Sequence, residues 1–166
     1  MYQFLEDVFV HFPQRRKVVE TMLMYGLKVD EHGNIYCGEI ELAPAKFARG
    51  INVDRRVVIE TAKMIAKYEE LYQIFSNLKP TAYIRGAAKQ LGFEVIEIHA
   101  ESHAAGIVSK VTEIIAQAGI PIRQIVADDP DIYPSPKLTI VVEKKLPGTV
   151  INKIKSLNEV KRLIVE

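Results

Sequence analysis

From Phe93 to Val126 the chain reads FEVIEIHAESHAAGIVSKVTEIIAQAGIPIRQIV. An apolar strand, a polar turn, Gly106, an amphipathic helix, Gly119 and a second apolar strand follow one another without a spare residue. That order builds a pocket at a strand-to-helix turn. Backbone amides at a helix N-terminus point outward and attract carboxylate or carbonyl oxygens. A glycine at the helix entry lets a ligand approach the main chain closely.

The alternation continues to the end of the chain. Strand 94–100 precedes helix 106–118, which is expected to bury Ile107, Val108, Val111, Ile114, Ile115 and Ala118. Strand 121–127 leads through the proline-rich turn DDPDIYPSP to a third strand, LTIVVE. Helix 148–157 turns Val150, Ile151, Ile154 and Leu157 inward, and VKRLIVE closes the chain as a fourth strand. The order is βαββαβ, the ferredoxin-like split unit. Its usual strand order, 4-1-3-2, makes Arg123 and Gln124 on one strand and Lys161 and Arg162 on another sheet-edge residues, where a second copy can join.

The first half has a helical period instead. Phe4, Val8 and Phe12 recur at helical spacing before Pro13 breaks the segment. Val18, Val19, Met22 and Leu23 line a second helix ending near Gly26, and residues 28–41 form a small hairpin around His32-Gly33-Asn34. A compact pair follows. Ala45, Phe47 and Ala48 lie on a short helix, Gly50 makes a turn, and Asn52 or Asp54 caps the next helix. There Val57, Val58, Thr61, Ala62 and Ile65 form the inner stripe, leaving Arg55, Arg56, Ile59 and Lys63 outside. Short helix, tight turn and longer helix with arginines in its first turn make a helix-turn-helix pattern. A third helical stretch spans 68–77, and IRGAAKQLG is a short connecting helix. The expected organisation is α+β: a helix-turn-helix-like domain at 1–82, a connector at 83–92 and the ferredoxin-like domain at 93–166.

Composition narrows the class. Hydrophobic residues make up 48% and charged residues 26%, values of a globular chain. A formal charge of +1 excludes strong global steering toward nucleic acid, so DNA contact needs a local basic face. Cys37 is the single cysteine, which excludes an intrachain disulfide and suits a reducing compartment. Glu6 and Asp7 interrupt the first apolar stretch, and no apolar run approaches the roughly 18 residues of a spanning helix. The expectation is a cytoplasmic protein with no membrane partner.

Gly106, the step to Gly119 and the following Ile-Pro-Ile resemble the ACT domain, whose pattern is a strand, D-R-P-G or N-R-P-G, a helix, and G-[IV]-N-I. With VDRRVV, FSNLKPTA, the VIEI strand and ADDPD, the whole chain is similar to an archaeal family of ACT-containing regulators of amino-acid metabolism. Members of that family are predicted transcriptional regulators or allosteric regulators of homoserine dehydrogenase. The resemblance implies a dimer or higher homo-oligomer with a small effector, an amino acid, at the first strand–helix turn. The ligand residues it implies are Glu101, Ser102, His103, Ala104, Ala105, Gly106, Ile107 and Pro121. Three of these depart from the family pattern: Ala105 replaces its proline, His103 stands where Asp or Asn receives the amino group, and Pro121 replaces the asparagine. Proline has no side-chain amide and no backbone N–H, so that contact is lost.

Other residues admit two readings. His99, Glu101 and His103 share a face if the strand continues, and with Asp128 or Asp129 nearby they offer a site to a divalent metal such as zinc, the set being His99, His103 and Asp128. If the strand ends near Glu101, the histidines are solvated groups. Asp128 and Asp129 also fit simple turn chemistry before Pro130. Arg55, Arg56 and Lys63 either contact DNA or form a solvated helix face in a protein–protein module. No G-x-S-x-G, Walker loop or G-x-G-x-x-G occurs, and no histidine has a nucleophile partner, so no enzymatic activity or cofactor is expected. The expected function is ligand-responsive regulation, with the N-terminal domain contacting DNA or an amino-acid biosynthetic enzyme.

Overall fold

The computed structural model describes residues 1–101 and 105–166. The chain is mixed α+β and divides into two compact units, Met1–Ala82 and Tyr83–Glu166.

The first unit contains α1 (Gln3–Phe9), α2 (Pro13–Tyr25), β1 (Leu27–Val29), β2 (Ile35–Cys37), β3 (Ile40–Glu41), α3 (Pro44–Gly50), α4 (Arg55–Lys67) and α5 (Glu69–Phe75). Pro13 starts α2 at the position where its missing N–H costs nothing, and Gly26 ends it in the left-handed region at φ 61°. The three strands form an antiparallel sheet in sequence order, one strand more than the expected hairpin. The β1–β2 turn is organised by Asp30, whose carboxylate accepts from the amides of His32 and Asn34, the side-chain amide of Asn34 and the Tyr36 hydroxyl. Burial pushes that carboxyl upward, but these bonds, those from Asn34 foremost, hold it below the usual carboxylate range. Phe9, Val18, Met22, Ile35, Ile65 and Phe75 pack at the centre of the unit.

In α1 the buried face carries Leu5 and Phe9, while Phe4 and Phe12 are exposed. The i, i+4 spacing of Phe4, Val8 and Phe12 is shared by Leu5 and Phe9, so spacing alone does not choose the inner face. The α4 stripe lies inside at Val58, Thr61, Ala62 and Ile65, with Val57 half-buried.

The second unit contains β4 (Glu94–Ala100), α6 (Ile107–Gln117), β5 (Ile122–Ala127), β6 (Leu138–Val142), α7 (Gly148–Lys155) and β7 (Val160–Val165). Its sheet has the order β5-β6-β4-β7 with every neighbour antiparallel, so β5 and β7 are the edges. Alternation along β4 and β6 sends Ile96, Ile98, Leu138, Ile140 and Val142 into one core with Val111 and Ile115 of α6 and Val150 and Ile154 of α7. Val108 and Ala118, expected on the inner face of α6, are exposed because they flank the narrow stripe centred on Val111 and Ile115. The other sheet face buries Val95 and Val141 beneath Ala88, flanked by Ile84 and Phe93. Residues 83–92, expected as a connecting helix, instead form a 3-10 turn at Arg85–Ala87 that lies on this second face. Among the described residues no helix is long and apolar enough to cross a membrane.

Gly26 offers a direct stability test. A Cβ there would stand 2.3 Å from the Lys79 carbonyl oxygen, on a backbone already at φ +61°. Gly26→Ala is therefore expected to destabilise the first unit by roughly 2 kcal/mol or more in chemical denaturation. Gly119→Ala, at φ +66° but with nothing within 4 Å of the new Cβ, should cost the second unit only about 1 kcal/mol.

Candidate functional site

Two places bring together residues with recognisable chemistry. The first is the turn from β4 into α6. Gly106 caps α6 at φ 87°, ψ 0°, a left-handed conformation that explains the glycine, and its carbonyl accepts from the Lys110 amide at 3.0 Å and the Ser109 hydroxyl at 2.9 Å. Ala105 and Gly106 are exposed, and Ile107 is half-buried against the core. Glu101 is exposed and its carboxylate meets Lys161 of β7 at 3.1 Å. Lys110 is ion-paired with Glu159 ahead of β7. Ser102, His103 and Ala104, three of the expected ligand residues, lie outside the described residues.

Pro121 does not join this group. It follows α6, and the 11 residues of that helix separate it from Gly106 by about 16 Å at the α-helical rise. Ile122 and Glu94 both pair with Val142, which sets Pro121 at the level of the start of β4, whereas the turn lies beyond its end. Within one chain Pro121 and Gly106 therefore cannot touch the same small ligand.

Of the expected metal set, His103 lies outside the described residues, and His99 and Asp128 stand on β4 and after β5, with β6 between those strands. His99 is half-buried on β4 opposite Arg162. Asp128 follows β5 and meets Lys137 at 3.3 Å, ahead of the intervening strand β6. Burial acts to lower the Lys137 ammonium, but the hydrogen bond and charge of Asp128 outweigh it and hold the group above its usual value. A lysine in that position occupies the carboxylate that a cation would need. Among the described residues no group of three or more His, Cys, Asp and Glu is placed to hold a metal. Asp129 serves the turn, accepting the Asp131 amide at 2.9 Å.

The second place is the outer surface of α3 and α4. Asp54 is the N-cap of α4, with extended backbone at φ −69°, ψ 140° and its carboxylate accepting from the Arg56 amide at 2.7 Å. Asn52, the other capping candidate, is instead the residue with positive φ (53°) in the turn between the helices. Arg55 and Arg56 are exposed in the first turn of α4, and Lys46 and Arg49 are exposed on α3, which packs against α4. Those two were not singled out in the sequence, although PAKFARG places basic residues three apart on one helix face. Glu60 is the single carboxylate of α4, and Arg15 of α2 meets it at 2.9 Å. Arg15 is held there by the Phe12 ring, 5.3 Å from its guanidinium carbon, and by the Met64 sulfur. Lys63 is exposed, but a Cβ on Gly33 in the β1–β2 turn would lie 3.2 Å from its Cα. That turn approaches α4 at Lys63, whereas Arg55 and Arg56 at the start of the helix are exposed.

Comparison with models of known protein families and with curated proteins finds no match for the chain.

Because Asp54 fixes the first turn of α4, Asp54→Ala is expected to lower the stability of the first unit by about 1 kcal/mol. Amide exchange at Arg56 should rise with it, while the amides of Ala62 and Ile65 stay protected.

Proposed function

We propose that the protein is a non-enzymatic, ligand-responsive regulator of amino-acid metabolism, with an ACT-like second unit and a helix-turn-helix-like first unit that contacts DNA. The observation that carries this reading is the exposed basic corner of α3 and α4. Lys46 and Arg49 of α3 and Arg55 and Arg56 of α4 are all exposed on two helices that pack against each other, and Arg15 pairs with the one carboxylate of α4. A recognition helix reads bases with its N-terminal residues, and Arg55 and Arg56 are exposed at that end of α4. For the second unit, support comes from the order β4-α6-β5-β6-α7-β7 with the sheet order β5-β6-β4-β7, which is that of the ferredoxin-like split unit. The turn at Gly106 is the ligand site on this reading, with Glu101, Ala105 and Ile107 beside it and Pro121 supplied by a second copy.

A protein target, an amino-acid biosynthetic enzyme such as homoserine dehydrogenase, is the second reading. It is favoured by Tyr2, Phe4, Val10 and Phe12, which expose large apolar surface on α1 and the turn after it.

Duplex DNA binding measured by fluorescence anisotropy separates the two. On the DNA reading affinity falls steeply with added salt, and Arg55→Ala with Arg56→Ala weakens binding about tenfold or more at low salt. Unchanged binding in the double variant overturns the DNA reading. Co-purification with an amino-acid biosynthetic enzyme then establishes the second.

The effector is tested by thermal unfolding with each amino acid in turn. A ligand present at a hundred times its Kd stabilises the native state by about 2.7 kcal/mol and raises the transition. If no amino acid moves it, the amino-acid part of the reading is wrong.

A further inference from the structure

Glu97 is the least expected residue of the second unit. It lies in the middle of β4, the side chain is 6% exposed, and it faces the sheet surface away from α6 and α7. Its Oε1 atom meets the Arg85 Nε atom at 3.0 Å, off the line a hydrogen bond requires, and neither atom has a hydrogen-bond partner among the described residues. A carboxylate so deeply buried and so thinly satisfied calls for a cause.

The cause is the segment that covers it. Residues 83–93 cross the second face of the sheet and are tied to every strand. The Tyr83 hydroxyl donates to Thr139 on β6 at 3.0 Å, and the Ile84 amide donates to the Gln124 side chain on β5 at 3.1 Å. Arg85 spans Glu97 on β4 and Glu166 just beyond β7, the latter at 2.6 Å. The apolar part is small, with Ala88 buried and Ile84 and Phe93 half-buried. Three of the strap's first residues thus hold it by polar bonds, and its other end runs directly into β4.

We propose that residues 83–93 are a releasable strap, latched by Arg85 on Glu97, that sets the length of the tether between the two units. Tyr83 directly follows the last residue of the first unit. With the strap closed, the first unit is tethered at Tyr83. With the strap lifted, the chain is free as far as Phe93, and the tether gains a reach of roughly 35 Å. Opening is easy for a physical reason. A buried ion pair gains little over two hydrated ions, so lifting the strap returns Glu97 and Arg85 to water at small cost. The apolar surface given up is that of a few side chains, whereas unfolding the sheet gives up the whole core beneath α6 and α7. Tether length then sets how far the first unit can reach from the second, without any new contact. The proposal does not depend on the identity of the target or of the effector.

Hydrogen exchange on the full chain tests it. In the unmodified protein the amides of Ile84, Ala88 and Phe93 should exchange at least tenfold faster than those of Ile96, Ile98 and Ile140. Arg85→Ala removes the cation in contact with buried Glu97 and leaves only the charge of Lys137, already paired with Asp128, to act on it, so it should speed the strap amides at least a further tenfold and leave the β4 and β6 amides unchanged. The paired change Arg85→Met with Glu97→Leu removes both charges and keeps the bulk, and it should return strap protection to the original level or above. Tyr83→Phe provides a milder variant, expected to speed the strap amides alone. The proposal is overturned if strap and sheet amides exchange at one common rate, if they accelerate together in the variants, or if Arg85→Ala leaves the strap unmoved.

Discussion

The second unit is organised by the burial of β4 on both faces. Val95, Ile96, Glu97 and Ile98 are consecutive and all lie out of reach of water. A strand with alternating exposure needs one covering layer, but a strand buried on both sides needs two. Helices α6 and α7 supply the first over Ile96 and Ile98. Residues 83–93 supply the second over Val95 and Glu97. The segment that joins the units is therefore also a structural layer of the second one. Its loss would expose Val95 and Val141 as well as a carboxylate. The contrast between the two layers is chemical. One is a broad apolar interface, and the other is a few polar bonds around a small apolar contact.

In the first unit the comparable constraint is how α4 is held. Its inner stripe fixes the rotation of the helix, Asp54 fixes its start, and Arg15 fixes the charge of its outer face. Without Arg15 the carboxylate of Glu60 would sit about one turn from Arg56 and repel the same anions that the arginine attracts. The β1–β2 turn, stiffened by the four hydrogen bonds to the Asp30 carboxylate, approaches α4 so closely at Lys63 that only glycine fits at position 33 without displacement. Positive charge is thus concentrated at the start of α4 and on α3.

How much of this was legible in the sequence follows from the length and strength of each pattern. The strands and helices after Phe93 and the long helices α2 and α4 carry several turns or alternations each, so their type and bounds were readable within a residue or two. Short α1 carries two overlapping i, i+4 rows, and only tertiary packing chooses Leu5 and Phe9 over Phe4 and Phe12. The exposed side of α6 was misjudged at Val108 because an apolar residue beside the stripe looks like part of it. The strap was missed, yet a signal for it existed. LTIVV is too continuously apolar for a strand with one solvated face, and something had to cover the second. Pro121 was grouped with the Gly106 turn through a family pattern that is linear, whereas a helix stands between the two in space. The pairing of Arg15 with Glu60, which are 45 residues apart, had no local signature at all.

Strand β7 connects the two places in the second unit where polar contacts rather than packing decide the structure. It runs antiparallel to β4, so its first residues lie beside the Gly106 turn and its last beside the strap. At one end Lys161 holds Glu101, and just beyond the other Glu166 holds Arg85. As an edge strand it has one hydrogen-bonded neighbour in the sheet, and its register with β4 shifts between His99 and Ala100, close to the turn. A ligand that drew Glu101 away from Lys161 would act on the strand whose far end anchors the latch. Such a ligand biases the strap only to the extent that it binds the closed and lifted forms with different affinity. Both ion pairs are solvent-accessible and individually weak, so neither resists that bias. The contact of Glu97 with Arg85 adds little more, because a buried ion pair gains little over two hydrated ions.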